Sequence, residues 1–485
     1  MQPSIAILKF GNNFVEYGIP VAEYRLNPFF PQSMTTRRNF LKRSAAAVAG
    51  AALTPYLMSS AQPVRAQAAS DRLRVGCVGL GGQGRGNAHD FSNLTDVVAI
   101  CDLDSEFGLA QTLNNTNIGR IRDGQRQGTP DSYKDYRRVL ERNDVDIVSI
   151  GTTDQWHVKI AVEALQAGKH VFCEKPLTLT IEECQLMRNA AKKFPNLKVQ
   201  IGSQQRSQKD QFATACLMIR KGMLGDITKM VVDIGGGDVG GPFQKGTPPA
   251  HFDFMTWLGQ CPVVEYIPQR THGNYRWWYE YSGGKFTDWG AHHIDFAHWA
   301  LNEIAEGQGP ISAKPIVAEH PVEFKDGYPL VDDRFNTSHR FEISFKFANG
   351  TEMLVVSHSQ DGNGILVEGT KGRIHVNRER INGRPIQDGL HRSLTEEDFT
   401  GLFNGKGFDG WHKRNFITCI KDGGLPVSDV FSHIQSMISC HLCEISVRLG
   451  RELKWDPKEE KIIGDEQAVK FVAREVRRGF EIPRV

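Results

Sequence analysis

What this chain lacks narrows it first. No stretch of about 18 consecutive apolar residues occurs, so no permanent membrane-spanning helix is expected. Neither sign of charge dominates: 58 Lys and Arg face 56 Asp and Glu, for a formal net charge of +2. That balance leaves no electrostatic footprint for nucleic acid or an acidic surface. No internal repeat is present, which excludes solenoids and propellers. The nine cysteines are an odd number and suggest no disulfide framework. "CHLC" at Cys440–Cys443 has no second pair to complete a zinc site, so packing in a helix is expected there. Cys77, Cys101 and Cys173 fall in or at the ends of apolar strand-like runs, where free thiols behave as small hydrophobes.

What is present begins near the N-terminus. "TTRRNFLKRSAAAVAGAALTPYLMSSAQPVRAQA" runs from charge through a modest apolar segment to a small-residue cleavage pattern. That is the layout of an export signal. Arg37 and Arg38, followed by Phe40, Leu41 and Lys42, give it a twin-arginine character, and Ala66-Gln67-Ala68 offers the cleavage site. Such signals sit close to a start codon, so Met34 is a candidate start beside Met1. Residues 1–68 are read as extension and signal, and the mature protein as periplasmic or exported through the twin-arginine machinery. That route moves folded proteins, which fits the absence of a disulfide framework.

From Leu73 onward, apolar runs alternate with helical patterns. Strands are expected at Leu73–Val78, Val97–Cys101, Asp146–Ile150, His170–Cys173 and Lys198–Ile201. Helices are expected near Gly86–Asn93, Tyr133–Glu141, Val158–Gln166 and Ile181–Lys193. The alternation predicts a doubly wound parallel sheet over residues 71–203. "NNTNIGRIRDGQRQGTPDS" reads as a surface insertion. Beyond it, "FEISFKFANGTEMLVVS" is a hairpin pattern around Asn349-Gly350, "GILVEGTKGRIHV" another strand pair, and Val430–Leu449 a helix. Residues 204–485 are therefore expected to form an α+β domain, and the whole chain an α/β protein.

"RVGCVGLGGQGRG" sets Gly79, Gly81 and Gly84 in GxGxxG spacing, with Gly82, Gln83 and Arg85 in the same loop. The motif follows a predicted strand and opens a helix. Its glycines permit a tight turn, approach of a pyrophosphate and close helix packing, while the helix N-terminus favours phosphate. The next strand ends in "CDLD", putting Asp102 about 20 residues on, where a ribose-binding carboxylate belongs. No Lys or Arg follows in "CDLDSEF", so NAD is expected, with NADP the alternative if Arg85 swings toward the ribose.

Several residues near the middle of the chain have the types that sugar chemistry needs. In "TDWGAHHIDFAHWAL", a helix would align Asp288, His292, Asp295 and Trp299 on one face. His292 is the candidate general base and Asp288 its orienting acid. His293 is the rival in another register. Two carboxylates and one histidine on one helix lack a fourth ligand, so no metal is expected. "THGNYRWWYEYSGG" offers Tyr275, Trp277 and Tyr279 for stacking on a sugar, with a packed core as the alternative. Arg206 in "GSQQRS" is a candidate for an oxygen-rich substrate, and His412 and Asn415 are weaker ones.

In this order, the glycine loop, "TTDQWH", "EKP" and "GGKFTDWGAHHID" resemble the glucose–fructose oxidoreductase / inositol dehydrogenase (Gfo/Idh/MocA) family. "EGTKGRI" and "LPVSDVFSHIQS" add to the likeness. The resemblance implies a Rossmann domain followed by a domain with an open, mainly antiparallel sheet, with the nicotinamide between them. It implies action on sugars or polyols by hydride transfer to NAD, and a homo-oligomer; the expected export implies that the NAD is tightly held, since free NAD is scarce outside the cytoplasm. By the same resemblance, Lys175 lies beside the nicotinamide and substrate hydroxyl, and Asp288 and His292 form the family's Asp-x-x-x-His pair. Thr152, Thr153, Trp156 and His157 of "TTDQWH", Glu174 and Pro176 of "EKP", and Gln204 would contact the cofactor. Thr153 stands where many relatives have proline. Two other readings stay open: glycoside cleavage through a transient keto intermediate with bound NAD, and a non-catalytic sugar-binding protein.

Overall fold

Buried on both faces, a strand of a parallel sheet reads as a continuous apolar run, and this is how the first sheet forms. In the computed structural model, β1 (Arg74–Val78), β2 (Asp96–Cys101), β3 (Asp131–Tyr133), β4 (Ile147–Ile150), β5 (His170–Cys173) and β6 (Val199–Ile201) pair in the order β3-β2-β1-β4-β5-β6. Every pairing is parallel. This is the strand order of a dinucleotide-binding sheet, which carries its ligand outside the carboxyl ends of the strands. The described residues are 72–114, 118–122, 125–403 and 411–485. The expected export signal and its cleavage site lie outside them.

Edge strand β3 was not anticipated, since its Asp-Ser-Tyr sequence is short and mostly exposed. It forms by pairing with Ala99–Cys101. Within the expected insertion, Arg120–Arg122 pairs with Gln125–Gln127 as a small ribbon. The helices cross back over the sheet. α1 (Gly82–Leu94) follows the glycine turn. α2 (Ile181–Lys193) is capped by Thr180, which accepts from the Glu183 amide, with acids in its first turn and Lys192 and Lys193 in its last.

The second sheet has nine strands: β7 (Ile227–Asp233), β8 (Pro310–Glu319), β9 (Arg340–Phe347), β10 (Glu352–Val356), β11 (Gly364–Gly369), β12 (Gly372–Val376), β13 (Ile381–Asn382), β14 (Leu453–Asp456) and β15 (Lys461–Ile463). Their order is β13-β12-β11-β7-β10-β9-β8-β14-β15. All pairs are antiparallel except β7 with β10. The β9–β10 hairpin turns at Asn349-Gly350 as the sequence predicts, with Gly350 at φ 89°. β11–β12 is the second expected hairpin.

α3 (Gly290–Leu301) and α4 (Val430–Leu449) pack against each other and are buried along nearly their whole length. A helix buried all round carries apolar or paired residues on every face. Cys440 and Cys443 are buried on α4, and all nine cysteines are free thiols. Burial pushes both of these thiols well above the usual range, as expected for packing groups. The C-terminal segment returns across the first sheet's helices. Lys159 Nζ donates to the Glu481 carbonyl at 2.7 Å, and Arg484 pairs with Glu182 at 2.7 Å.

Candidate functional site

At the carboxyl ends of the first sheet's strands opens a cavity of about 1050 Å³, bounded on its far side by the short helix Lys285–Asp288 and by the start of α3. The glycine turn forms one end. Gly79 sits at φ 80°, and a Cβ there would lie 2.4 Å from the Thr152 amide nitrogen. A Cβ on Gly84 would lie 1.9 Å from the Gly79 carbonyl, so Gly84 serves helix packing and does not line the cavity. Gly81, Gly82 and Gln83 do line it. No side chain caps the start of α1, which leaves its first-turn amides to face a phosphate.

Asp102 lines the cavity at the end of β2. Its Oδ2 accepts from the Leu80 amide at 2.5 Å and its Oδ1 from the Asp104 amide at 2.8 Å. Burial raises its pKa, and these two amides offset only part of the rise. Arg85 does not reach the cavity. Its guanidinium bonds the Gln111 side chain and lies over Phe107. Lys134 and Arg137, just beyond β3, do line this end. They were missed because β3 itself was missed.

Thr152, Thr153 and Trp156 line the next stretch. Thr153 adopts φ −76°, within the range proline would impose, so the turn keeps the geometry of a proline-bearing one. Thr152 Oγ1 is buried and has no hydrogen-bond partner among the described residues. His157 stands behind the wall instead of on it, bonded through its ring nitrogens to the Pro176 carbonyl at 2.6 Å and the Thr152 carbonyl at 3.1 Å. Glu174 Oε1 accepts from Asn87 at 2.8 Å and from Gln83 and Gln204 at 3.4 Å, tying the glycine helix to the ends of β5 and β6. The Lys175–Pro176 peptide is cis.

The glycine cradle, the open helix terminus, the Asp102 carboxylate and the orphaned Thr152 hydroxyl together suit a dinucleotide's pyrophosphate and ribose.

At the opposite end, Lys175 Nζ donates to Asp288 Oδ1 at 2.6 Å and to the Asp288 carbonyl at 3.0 Å. Burial raises the Asp288 pKa, but the charges of Lys175, Arg276 and Lys285 outweigh it and hold the carboxyl below its usual range. Asp288 therefore partners Lys175, and no hydrogen bond joins it to His292. This corrects the expected acid–histidine contact. The helix breaks at Trp289, between the short helix and α3, and the break separates the two.

His292 lines the cavity. Burial first, then the charges of Lys175 and Arg378, pushes its pKa well below 6.5, so the ring is uncharged. Its Nδ1 has no hydrogen-bond partner among the described residues.

Five expected substrate contacts, Arg206, His293, Tyr279, His412 and Asn415, are corrected. Arg206 is 1% exposed and faces away from the cavity. Its Nε and one terminal nitrogen each donate to Asp295 at 2.7 Å, and its other terminal nitrogen donates to Ser432 Oγ at 2.7 Å. Asp295 also accepts from Ser203 and Ser436 and contacts His433, so it joins neither Asp288 nor His292. His293 points at the Asp233 carbonyl at 2.9 Å. Tyr279 bonds the Ser338 amide and His320, outside the cavity. His412 is buried between Ser207 Oγ and the Ile201 carbonyl, and Asn415 accepts from the Val427 amide.

Tyr275 and Trp277 do line the cavity. Tyr275 donates to Asp154 Oδ1 at 2.7 Å, and Ser282 donates to the other oxygen at 2.6 Å. Arg276, Lys285, Trp289 and Arg378 complete this end without having been expected, and Phe480 lines the cavity beside Trp156. Lys285 and Trp289 lay inside a quoted motif. Arg378 follows β12 and Phe480 lies near the C-terminus, and neither carries a local signal.

Residues 73–203 match the model of the Gfo/Idh/MocA oxidoreductase family, NAD-binding Rossmann fold, and residues 240–382 match that family's C-terminal alpha/beta domain. A glycosyl hydrolase family 109 protein of Shewanella pealeana is 35% identical over 162 residues, which cover 30% of this chain and 35% of that protein. Inositol 2-dehydrogenase of Salmonella paratyphi B is 29% identical over 235 residues, 48% of this chain and 55% of that one. The chain thus spans about a third to a half of the length of these curated relatives. The WlbA dehydrogenase from Bordetella pertussis, solved with NADH and UDP-GlcNAcA, shares the fold at a TM-score of 0.54 and 18% identity, covering 80% of this chain and 98% of that one.

Proposed function

The chain belongs to the Gfo/Idh/MocA oxidoreductase family, and from that premise we propose that it oxidises or reduces a hydroxyl-bearing carbon of a sugar, polyol or glycoside with a tightly held NAD. The observation that carries this reading is the Lys175–Asp288 pair beside an uncharged His292, in one cavity with the glycine cradle.

Gly79, Gly81 and Gly82 would hold the pyrophosphate, and Asp102 the ribose hydroxyls. NAD supplies the hydride acceptor when bound. Every other task falls to side chains. Asp288 anchors Lys175 by two contacts, so the ammonium is fixed before substrate arrives. Lys175 donates to the substrate oxygen and stabilises charge as it develops there. His292, kept free of a proton, is the acceptor for the hydroxyl proton. Tyr275, Trp277 and Trp289 supply aromatic surface for the sugar. Asp102 supports NAD over NADP by repelling a 2′-phosphate, and Lys134 is the residue that would oppose that preference.

The test is direct. Freshly purified mature protein is expected to release NAD on denaturation, and a carbohydrate panel to change the redox state of the bound nicotinamide. Protein that carries no nicotinamide and shows no response to any sugar contradicts the reading.

A second reading, glycoside cleavage through a transient keto intermediate, is favoured by the 35% identity to a glycosyl hydrolase family 109 protein. It predicts bond cleavage with no net change in nicotinamide redox state, which product analysis separates from simple oxidation.

We also infer twin-arginine export, from Arg37, Arg38 and the Ala66-Gln67-Ala68 site. Changing both arginines to lysine is expected to trap the protein unprocessed in the cytoplasm. Native protein that stays there unprocessed overturns this.

A further inference from the structure

Around Lys175 the cavity carries more positive charge than its carboxylates can pair. Lys285 Nζ stands 5.8 Å from the ring centres of both Trp277 and Trp289. The Arg378 guanidinium lies 4.7 Å from the Trp289 ring, and that of Arg276 lies 5.7 Å from Trp277. Two indoles thus carry three cations over their ring faces.

Two carboxylates line this end and both are engaged, while Asp238, outside the lining, also acts on Lys285. Asp288 holds Lys175, and Asp154 holds the hydroxyls of Tyr275 and Ser282. Among the described residues, no carboxylate lies within ion-pair distance of Arg276, Lys285 or Arg378. Arg276 Nε is buried with no hydrogen-bond partner among them. Gln205, with its amide oxygen turned toward Arg378 Nε at 3.2 Å and its nitrogen toward the His292 carbonyl at 3.0 Å, fixes one cation without neutralising it. Burial lowers the pKa of half-buried Lys285 and, at a more exposed position, of Arg378, so desolvation works against the Lys285 charge.

Like charges gathered in a cavity repel one another and focus a positive potential into it. A neutral sugar offers hydroxyls but leaves that repulsion in place. A substrate anion offsets it and gives charge-assisted hydrogen bonds to guanidinium and ammonium.

We propose that this end of the cavity selects a sugar bearing an anionic oxygen group, a carboxylate, sulfate or phosphate, over its neutral counterpart. The inference rests on the carbohydrate reading above and names the substrate class for it. The anionic group lies among Lys285, Arg276 and Arg378, beside the indoles that hold them, and the reacting hydroxyl meets Lys175.

The test is equilibrium binding, by tryptophan fluorescence and calorimetry, of matched pairs to the mature protein. The pairs are D-glucuronate with D-glucose, D-galacturonate with D-galactose, and D-glucose 6-phosphate and D-glucose 6-sulfate with D-glucose. At least one anionic member is expected to bind about tenfold or more tightly than its parent, a factor worth about 1.4 kcal/mol. The anion that gains most identifies the group. The preference should shrink with added salt, and in Lys285→Met and in Arg378→Gln, the latter at an exposed position less able to disturb folding. Equal or tighter binding of the neutral member in every pair overturns the inference, as does a preference untouched by both variants. Binding preference without any change in bound nicotinamide leaves this inference standing and sinks the oxidoreductase reading. Turnover of neutral sugars with no anionic preference does the reverse.

Discussion

Lys175 and Asp288 are joined twice, through the aspartate's carboxylate at 2.6 Å and its backbone carbonyl at 3.0 Å. The strand end of the first sheet and the short helix of the second domain thus meet at one ammonium. Lys175→Met removes the donor to the substrate oxygen and is expected to lower kcat/KM by about 10²–10⁴-fold. Bound nicotinamide should stay near the wild-type content. Asp288→Asn keeps the carbonyl contact and should cost less. Steady-state kinetics with nicotinamide assayed on the same preparations checks both.

His292 bears on the rate at low pH. Its pKa is pushed well below 6.5, so the ring is already unprotonated at neutral pH. The kcat/KM of the wild type should hold as pH falls through about 6.5, the ordinary histidine value, and decline only below it. A limb centred on that value, lost in His292→Asn, would show instead that the ring titrates normally.

Stability should respond to acid through the other buried histidines. Burial lowers His170, His298 and His412 to about 4 and His293 and His320 to about 3. Between those values and about 6.5 the unfolded chain binds protons that the folded chain does not, so stability falls as pH drops. Urea midpoints are expected to decrease steadily from about pH 7 to pH 5. A flat or rising series contradicts these assignments.

Arg206 and Asp295 form a buried ion pair that braces the cavity from behind. Burial pushes the Asp295 carboxyl up, yet Arg206 and His433 hold it far below the carboxylate range. Removing either partner strands the other charge, so Arg206→Met or Asp295→Asn should cost about 3–5 kcal/mol of stability. Thermal unfolding measures this, and a loss of sugar affinity with unchanged stability would return Arg206 to the substrate.

Gly84 and Gly86, two residues apart, behave oppositely. A Cβ at Gly84 meets the Gly79 carbonyl at 1.9 Å, whereas one at Gly86 meets nothing within 4 Å. Gly84→Ala is expected to shift α1 away from the turn and to abolish nicotinamide retention. Gly86→Ala should leave retention unchanged, and equal effects from the two would refute the cradle.

The sequence made legible whatever depends on local periodicity. The apolar runs of β1, β2, β4, β5 and β6, and the Asn349-Gly350 hairpin, follow from side-chain alternation and turn chemistry. β3 was hidden because its three mostly exposed residues become a strand only beside β2. Arg206 was placed correctly near a strand end but turned wrongly, since its direction is set by Asp295, 89 residues away. Of the aromatic run, the 3₁₀ turn His272–Trp277 delivers Tyr275 and Trp277 to the cavity, while Tyr279 falls beyond it. Arg378 and Phe480 reach the site only through the tertiary fold, and no spacing rule connects them to Lys175.

The central claim is that the Lys175 site passes a hydride between a sugar carbon and a retained NAD. The most direct test follows the near-ultraviolet absorbance of nicotinamide bound to mature protein as acidic and neutral sugars are added, in wild type and in Lys175→Met. The account predicts a change in bound reduced nicotinamide with at least one sugar, and its near-abolition in the variant at equal nicotinamide content. An equal response from both proteins, or no response to any sugar from wild type carrying nicotinamide, contradicts it.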